Sequence, residues 1–289
     1  MIKKGIILAG GLGTRMSPLT KAVNKQLLPL YDKPLIFYPL SILMLAGIKK
    51  ILIIVNKGQL NQFRKIIPEK NNFGLQIEYK EQQRPSGLPQ AFTIGEKFIG
   101  KDNVSLILGD NFFYGQNLTS ILKKNSNFKV GAKIFLHPVK NPQNYGVATL
   151  NNKKKVLKLI EKPKKTKSNL AVTGLYFFDN NVIKFTKKLK PSKRGELEIV
   201  DLLNIYRRNK KLNADFIGRG GAWLDTGNVK DYYNASNFIS AIESRQGLKI
   251  ACLEEIALKN KWIGKKDIQR SIGFYGNCEY SKYLKTLIY

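Results

Sequence analysis

A chain of 289 residues, 43% of them hydrophobic, is long enough for one large or two small domains around a substantial core. No apolar run reaches the ~18 residues of a membrane span, since Tyr38, Pro39 and Ser41 interrupt the longest candidate at residues 34–48. The net charge of +30 comes from 41 lysines and nine arginines scattered along the chain, without the interleaved arginine and aromatic residues of a nucleic-acid reader, so it describes a lysine-rich surface that attracts polyphosphates at low salt. In chain order, apolar runs at residues 5–9, 50–56, 75–80 and 104–108 read as strands, and helical patterns at 34–47, 59–67 and 88–98 fall between them. This alternation predicts an α/β fold: a Rossmann-like, mostly parallel mixed sheet with helices on both faces. The middle is strand-rich (129–136, 145–150, 156–161, 171–178), forming a small β subregion. Helices follow at 181–189 and 198–209, then a strand near 213–217. The tail is helical at 229–243, 254–260, 265–272 and 281–287. One domain is expected, with a core at 1–125, a second part at 126–228 and a helical appendage at 229–289.

The first strand runs into Leu8-Ala9-Gly10-Gly11-Leu12-Gly13-Thr14-Arg15, with Lys25 beyond it. Glycine admits positive φ and lets backbone N–H groups approach a phosphate chain with no Cβ in the way. Arg15 and Lys25 add fixed charge beside such a cradle. An ordinary βα turn would need glycine as well, so the loop alone leaves both readings open. A Walker loop is excluded because Gly13 is followed by Thr14-Arg15, and a dinucleotide fingerprint because its third glycine is absent. The apolar run at the N-terminus enters this loop at once, which argues against a signal peptide. Cys252 and Cys278 have no metal-ligand spacing, favouring a reducing cytoplasm over a disulfide framework or zinc site. His137, the sole histidine, precedes Pro138 at a strand end and is expected to be structural. Any chemistry must then run without histidine. Asp110 ends a buried strand in Leu-Gly-Asp-Asn and Asp225 lies in Trp-Leu-Asp-Thr-Gly; each suits a turn or helix cap as well as a ligand.

The longer string Gly10-Gly11-x-Gly13-Thr14-Arg15-Met16-x-Pro18-x-Thr20, with Lys25-Gln26-Leu27-Leu28-Pro29 and Tyr31-Asp32-Lys33-Pro34, resembles the sugar-1-phosphate nucleotidylyltransferases. Within them it is similar to the branch that uses dTTP and α-D-glucose 1-phosphate. Family-like segments continue through Arg245-Gln246-Gly247-Leu248-Lys249 and Glu254-Glu255-Ile256-Ala257. The resemblance implies a nucleotide site at Leu8, Gly10, Gly11, Gly13, Thr14, Arg15, Lys25, Gln26, Gln82, Pro85, Gly87 and Asp110, with Gln82 and Gly87 reading thymine. It implies a sugar-phosphate site at Asn111, Tyr145, Gly146, Glu161, Lys162, Val172, Tyr176, Arg194, Glu196 and Trp223. Asp110 and Asp225 would together hold one Mg²⁺. Arg15 and Lys25 would act on the triphosphate, and Lys162 and Arg194 on the phosphate of the sugar. The implied reaction is in-line attack on the α-phosphorus, forming dTDP-glucose and pyrophosphate as the first step toward dTDP-rhamnose or another deoxysugar. The resemblance further implies a cytoplasmic homotetramer, with no nucleic-acid partner and no membrane insertion. Feedback inhibition by dTDP-rhamnose would use the tail together with Gly218-Arg219 and Glu255-Ile256. Ser86, Pro89, Val200 and Gly221 depart from the branch, which usually has an acidic residue, alanine, threonine and an aromatic there. A relative using UTP or another nucleotide, and an inactive regulatory homologue, are the alternatives.

Overall fold

The computed structural model describes residues 2–289. Its strands are β1 (Lys4–Ala9), β2 (Pro29–Leu30), β3 (Lys33–Pro34), β4 (Lys50–Asn56), β5 (Gln76–Gln82), β6 (Val104–Leu108), β7 (Asn111–Tyr114), β8 (Ala132–Pro138), β9 (Gly146–Leu150), β10 (Val156–Glu161), β11 (Leu170–Phe178), β12 (Leu212–Phe216) and β13 (Ala222–Asp225). The helices are α1 (Phe37–Leu45), α2 (Leu60–Ile66), α3 (Gln90–Ile94), α4 (Glu96–Ile99), α5 (Leu118–Ser126), α6 (Asn181–Thr186), α7 (Ile199–Arg208), α8 (Val229–Gln246), α9 (Leu253–Lys259), α10 (Lys265–Tyr275) and α11 (Glu279–Thr286). None among the described residues is long and apolar enough to cross a membrane.

The main sheet has the order β10-β9-β11-β6-β1-β4-β5, with β8 pairing another stretch of β11 and carrying β12. The strands β5, β4, β1 and β6 are mutually parallel, whereas β11 runs antiparallel to β6, β8 and β9. Parallel strands covered on both faces are apolar along most of their length, as β1, β4 and β6 are apart from Ser105 and the polar residues at the strand ends. The edge strand β5 instead alternates buried Ile77 and Tyr79 with exposed Gln76, Glu78 and Lys80. Along β1 the side chains part between two cores. Ile7 and Ala9 join Phe37, Leu40 and Phe63 on one face, and Ile6 and Leu8 join Phe92, Phe178 and Tyr206 on the other.

Chain order reverses direction across the sheet between β1 and β6, so their carboxyl ends meet at a topological switch point. Ligands in such sheets sit at that crevice. Here it brings the Gly10–Gly13 loop beside Gly109 and Asp110.

Several expected boundaries move for identifiable reasons. The helix expected from residue 34 begins at Phe37, because Lys33 and Pro34 are spent on a short hairpin with β2. Pro39 is tolerated in its first turn, where backbone N–H groups have no intrahelical partner. The helix expected over 88–98 breaks at Gly95, whose Cβ would stand 2.9 Å from Ile6 Cδ1 and from the Ala91 carbonyl. Helix α5 and the ribbon of β7 with β13 have no counterpart in the sequence reading.

The helical tail is fastened to the hairpin by buried charge. Lys33, 3% exposed, pairs with Asp32 and with Glu243 of α8 at 3.2 Å. Glu243 also accepts from the Ile250 N–H at 2.7 Å, and Lys249 pairs with both acids. The rings of Tyr38 and Tyr280 lie 5.3 and 6.0 Å from the Lys33 ammonium. Two cations thus face two anions, which makes the burial of Lys33 and Glu243 tolerable.

Candidate active site

A cleft of about 410 Å³ opens at the switch point between the parallel half of the sheet and the β9–β11 region. Leu8, Gly10, Gly11, Arg15, Gln26, Gln82, Pro85, Gly87 and Asp110 line one side. Asn111, Tyr145, Gly146, Glu161, Lys162, Val172, Tyr176, Arg194, Glu196, Trp223 and Asp225 line the other. Gly13 and Thr14 do not line it. Gly13 instead takes a left-handed φ of 61° at the start of a tight turn and receives the Thr20 hydroxyl at 2.8 Å. Lys25 reaches the cleft through its ion pair with Asp110.

Close backbone approach explains two of the glycines. A Cβ on Gly10 would run into the Gln82 side-chain oxygen. One on Gly87 (φ 101°) would run into the Leu197 carbonyl, where the Leu197 N–H donates to Ser86 at 2.8 Å. That contact staples the loop at residues 82–89 onto the opposite wall. The sequence reading missed two residues that hold the nucleotide-side loops. Asn56, at the end of β4, exchanges two hydrogen bonds with Gly11 at 2.8 and 3.0 Å. Gln90 accepts from Gln82 Nε2 at 2.6 Å and from the Ser86 N–H at 3.0 Å, fixing the orientation of the Gln82 amide.

The two aspartates arrive from opposite directions. Asp110 follows β6, and β7 pairs antiparallel with β13 in a register that puts Asp225 opposite Asn111. Thr226, fully buried, donates its N–H (3.1 Å) and hydroxyl (2.7 Å) to the Asp110 carbonyl, locking the two segments together. Burial raises the Asp110 pKa, but the Lys25 ammonium and the Asn111 amide outweigh it and hold the carboxyl below its ordinary value. Asp225 is pushed up to about 6, first by burial and then by the charge of Asp110, against the opposing pull of Lys25 and Arg15. The Arg15 guanidinium passes so close to Gly227 that a Cβ there would stand 2.7 Å from it.

On the other wall, Arg194 is held by Glu198 (2.8 and 3.2 Å) and by Glu161 (3.4 Å). Glu198, 8% exposed and also bonded to the Ser192 hydroxyl at 2.7 Å, was not foreseen as a site residue. Its spacing four residues after Arg194 is the signal that could have found it. Burial first, and then the neighbouring Glu198, raise the Glu161 pKa, while Lys162 and Arg194 lower it. Lys162 has a left-handed backbone (φ 42°) and enters no ion pair among the described residues. Val200 closes the wall at 2% exposed, its Cγ2 standing 2.8 Å from where a Gly146 Cβ would be. Gly221 is equally constrained: a side chain there would meet Ile217 Cγ2 at 2.6 Å. His137 lies outside the cleft wall, its ring edge-on to Trp223 at 6.4 Å, and burial lowers its pKa.

The family model described as Nucleotidyl transferase matches residues 4–242. The glucose-1-phosphate thymidylyltransferases of Neisseria meningitidis and Mycobacterium tuberculosis are 48% and 43% identical over 285 residues, each alignment covering 99% of both chains. A Bacillus anthracis protein assigned to the same enzyme class and solved with sucrose superposes with a TM-score of 0.76 at 38% identity, over 81% of this chain and 94% of that one. A UDP-glucose pyrophosphorylase solved with UDP-glucose gives 0.73 at 27% identity, over 85% and 100%. By these likenesses, and by the cleft at its switch point, the chain belongs to the nucleotidyl transferase family, in the group of the glucose-1-phosphate thymidylyltransferases.

Proposed function

We infer that this chain transfers the thymidylyl group of dTTP to α-D-glucose 1-phosphate, forming dTDP-glucose and releasing pyrophosphate. The observation that carries the reading is the joining, in one cleft, of a glycine loop at a switch point to a polar recess across the Asp110–Asp225 pair. A phosphate oxygen of the sugar attacks the α-phosphorus in line, the bond to the β-phosphate oxygen breaks, and pyrophosphate leaves. The attacking group is already an anion near neutral pH. No general base is needed, in keeping with a sole histidine that packs outside the cleft.

The task left to the protein is to bring two anions together and to stabilise charge as it spreads. Arg15 and Lys25 serve the triphosphate and the departing pyrophosphate. Lys162 and Arg194 hold the sugar phosphate, and Glu161 offers two acceptors to vicinal hydroxyls. Gln82 and Gly87 meet the base. Asp110 and Asp225 fit a single Mg²⁺, since two largely buried carboxylates line one cleft and the charge of Asp110 raises the cost of ionising Asp225. An ion held by two carboxylates keeps coordination positions for phosphate oxygens and water. When bound, the ion supplies positive charge to phosphate oxygens.

The test is pyrophosphate release with glucose 1-phosphate and each of dTTP, UTP, ATP and GTP. A missing thymine methyl is worth only about 1–3 kcal/mol, so UTP is expected to be slower yet real. Purines would mispair with Gln82 and fall far behind. Comparable turnover with ATP or GTP would remove the thymidylyl assignment. We extend the reading to a cytoplasmic homotetramer inhibited by dTDP-rhamnose, supported by the likeness of the tail segments at residues 245–249 and 254–257 to the family. Sedimentation as a monomer only, or a rate indifferent to dTDP-rhamnose, would count against that extension.

A further inference from the structure

Asn111 is 2% exposed, and its side-chain amide is held from three directions. Its oxygen accepts from the Trp223 indole N–H at 2.6 Å and from the Gly174 backbone N–H at 3.0 Å. Its nitrogen donates to Asp110 Oδ1 at 3.1 Å. A carbonyl oxygen has two acceptor positions, and both are taken. The second Nδ2 hydrogen is then all that this side chain can offer a ligand. Rotating the amide by half a turn would place its NH₂ against two donors and its oxygen against a carboxylate, so the orientation is unique.

The fold builds this arrangement deliberately. The β11–β8 pairing is irregular between Val172 and Tyr176, which frees the Gly174 N–H from the sheet ladder. Gly174 has no room for a Cβ, because the Asn111 amide occupies that place. Trp223 is aimed by its neighbours: Tyr145 and His137 meet it edge-on at 5.1 and 6.4 Å, and β13 pairs it with Phe113.

We propose that Trp223 and Asn111 form a positioning relay for the Asp110 carboxylate, with the indole N–H setting the Asn111 amide and the amide setting Asp110 Oδ1. This rests on the reading of Asp110 as the cation-holding carboxylate. Trp223 acts on Asp110 through Asn111, so removing it should matter little once Asn111 is gone.

The test is a cycle of Trp223→Phe, Asn111→Ala and the double variant, read in kcat and in Mn²⁺ binding by paramagnetic resonance without nucleotide. Asn111→Ala is expected to lower kcat by ~30-fold or more and Trp223→Phe by roughly 5–10-fold, with the double variant within about twofold of Asn111→Ala alone. Mn²⁺ affinity should fall in both single variants. The protein has two tryptophans, so the Trp223 indole resonance is assigned with Trp262→Phe and should shift in Asn111→Ala. Should Asn111→Ala fail to fold, Asn111→Asp keeps the acceptor for both donors and exchanges only the group facing Asp110. It should retain the indole resonance and lose turnover. Multiplicative losses in the cycle, an unmoved indole resonance, or a rise confined to the glucose 1-phosphate KM would overturn the relay. If the wild type made no dTDP-glucose, the functional reading would fall, while the indole and Mn²⁺ measurements would still decide the relay.

Discussion

Replacing Asp225 by Asn should make the metal-free protein more stable while abolishing turnover. Its carboxyl is pushed up from 3.8 to about 6 by burial and by Asp110, so the folded state resists ionising it. A carboxyl whose folded pKa is raised makes the unfolded state bind fewer protons between about pH 4 and pH 6, and stability falls as pH rises through that window. Two units correspond to at most about 3 kcal/mol, and screening by water at the open side of the cleft reduces this to about 1–2 kcal/mol. Asn removes the penalty. At pH 7.5 in chelator, thermal unfolding of the Asp225→Asn protein should therefore lie a few degrees (about 2–6 °C) above wild type. The gap should close near pH 4, where the native carboxyl is protonated too. Mg²⁺ should raise the melting temperature of the wild type only. Loss of stability in Asp225→Asn, equal at both pH values, would show that the carboxylate is held by favourable contacts and would refute the electrostatic reasoning.

Asp110→Asn should lower kcat by orders of magnitude with the circular dichroism unchanged, since Lys25 loses its counter-charge and the phosphates lose a cation ligand; wild-type turnover at saturating Mg²⁺ would exclude that role. Lys33→Met should destabilise the protein by about 3 kcal/mol in urea titration, because the buried Glu243 is left with Lys249 as its one cationic partner; a loss below 1 kcal/mol would mean that the cluster is solvated. Gly87→Ala, at φ 101° and facing the Leu197 carbonyl, should raise the KM for both substrates by unfastening the two walls, whereas a change in dTTP alone would confine its effect to the base. Glu198→Gln should release Arg194 and let the Glu161 pKa fall, which appears as an altered KM for glucose 1-phosphate at unchanged KM for dTTP.

The parallel half of the sheet was legible because β1, β4 and β6 are mostly apolar runs and local signals mark their ends. The glycine loop and Asp110 follow such runs directly, so their meeting at the switch point could be anticipated. The ribbon of β7 and β13 could not. Each strand has four residues, and their pairing joins segments more than 100 positions apart, so no local periodicity announces it. Asp225 was found through its motif, but that it would stand opposite Asn111 was not visible. Asn56 and Gln90 act purely by orienting neighbours, and nothing in their surroundings distinguishes them from other polar residues at element ends. Glu198 stands two residues from Glu196 and four from Arg194, both expected site residues, yet Arg194 had been assigned wholly to the substrate. The tail's attachment through Lys33 and Glu243 depends on burying a lysine and a glutamate more than 200 positions apart, which composition in a chain of 50 basic residues conceals.

The most direct measurement is phosphorus NMR of the protein incubated with dTTP, α-D-glucose 1-phosphate and Mg²⁺. The account predicts dTDP-glucose and pyrophosphate appearing in equal amounts as dTTP is consumed, with neither formed when the sugar phosphate is left out. Hydrolysis of dTTP to dTMP, pyrophosphate release without the sugar, or unchanged spectra beside an active control would contradict it.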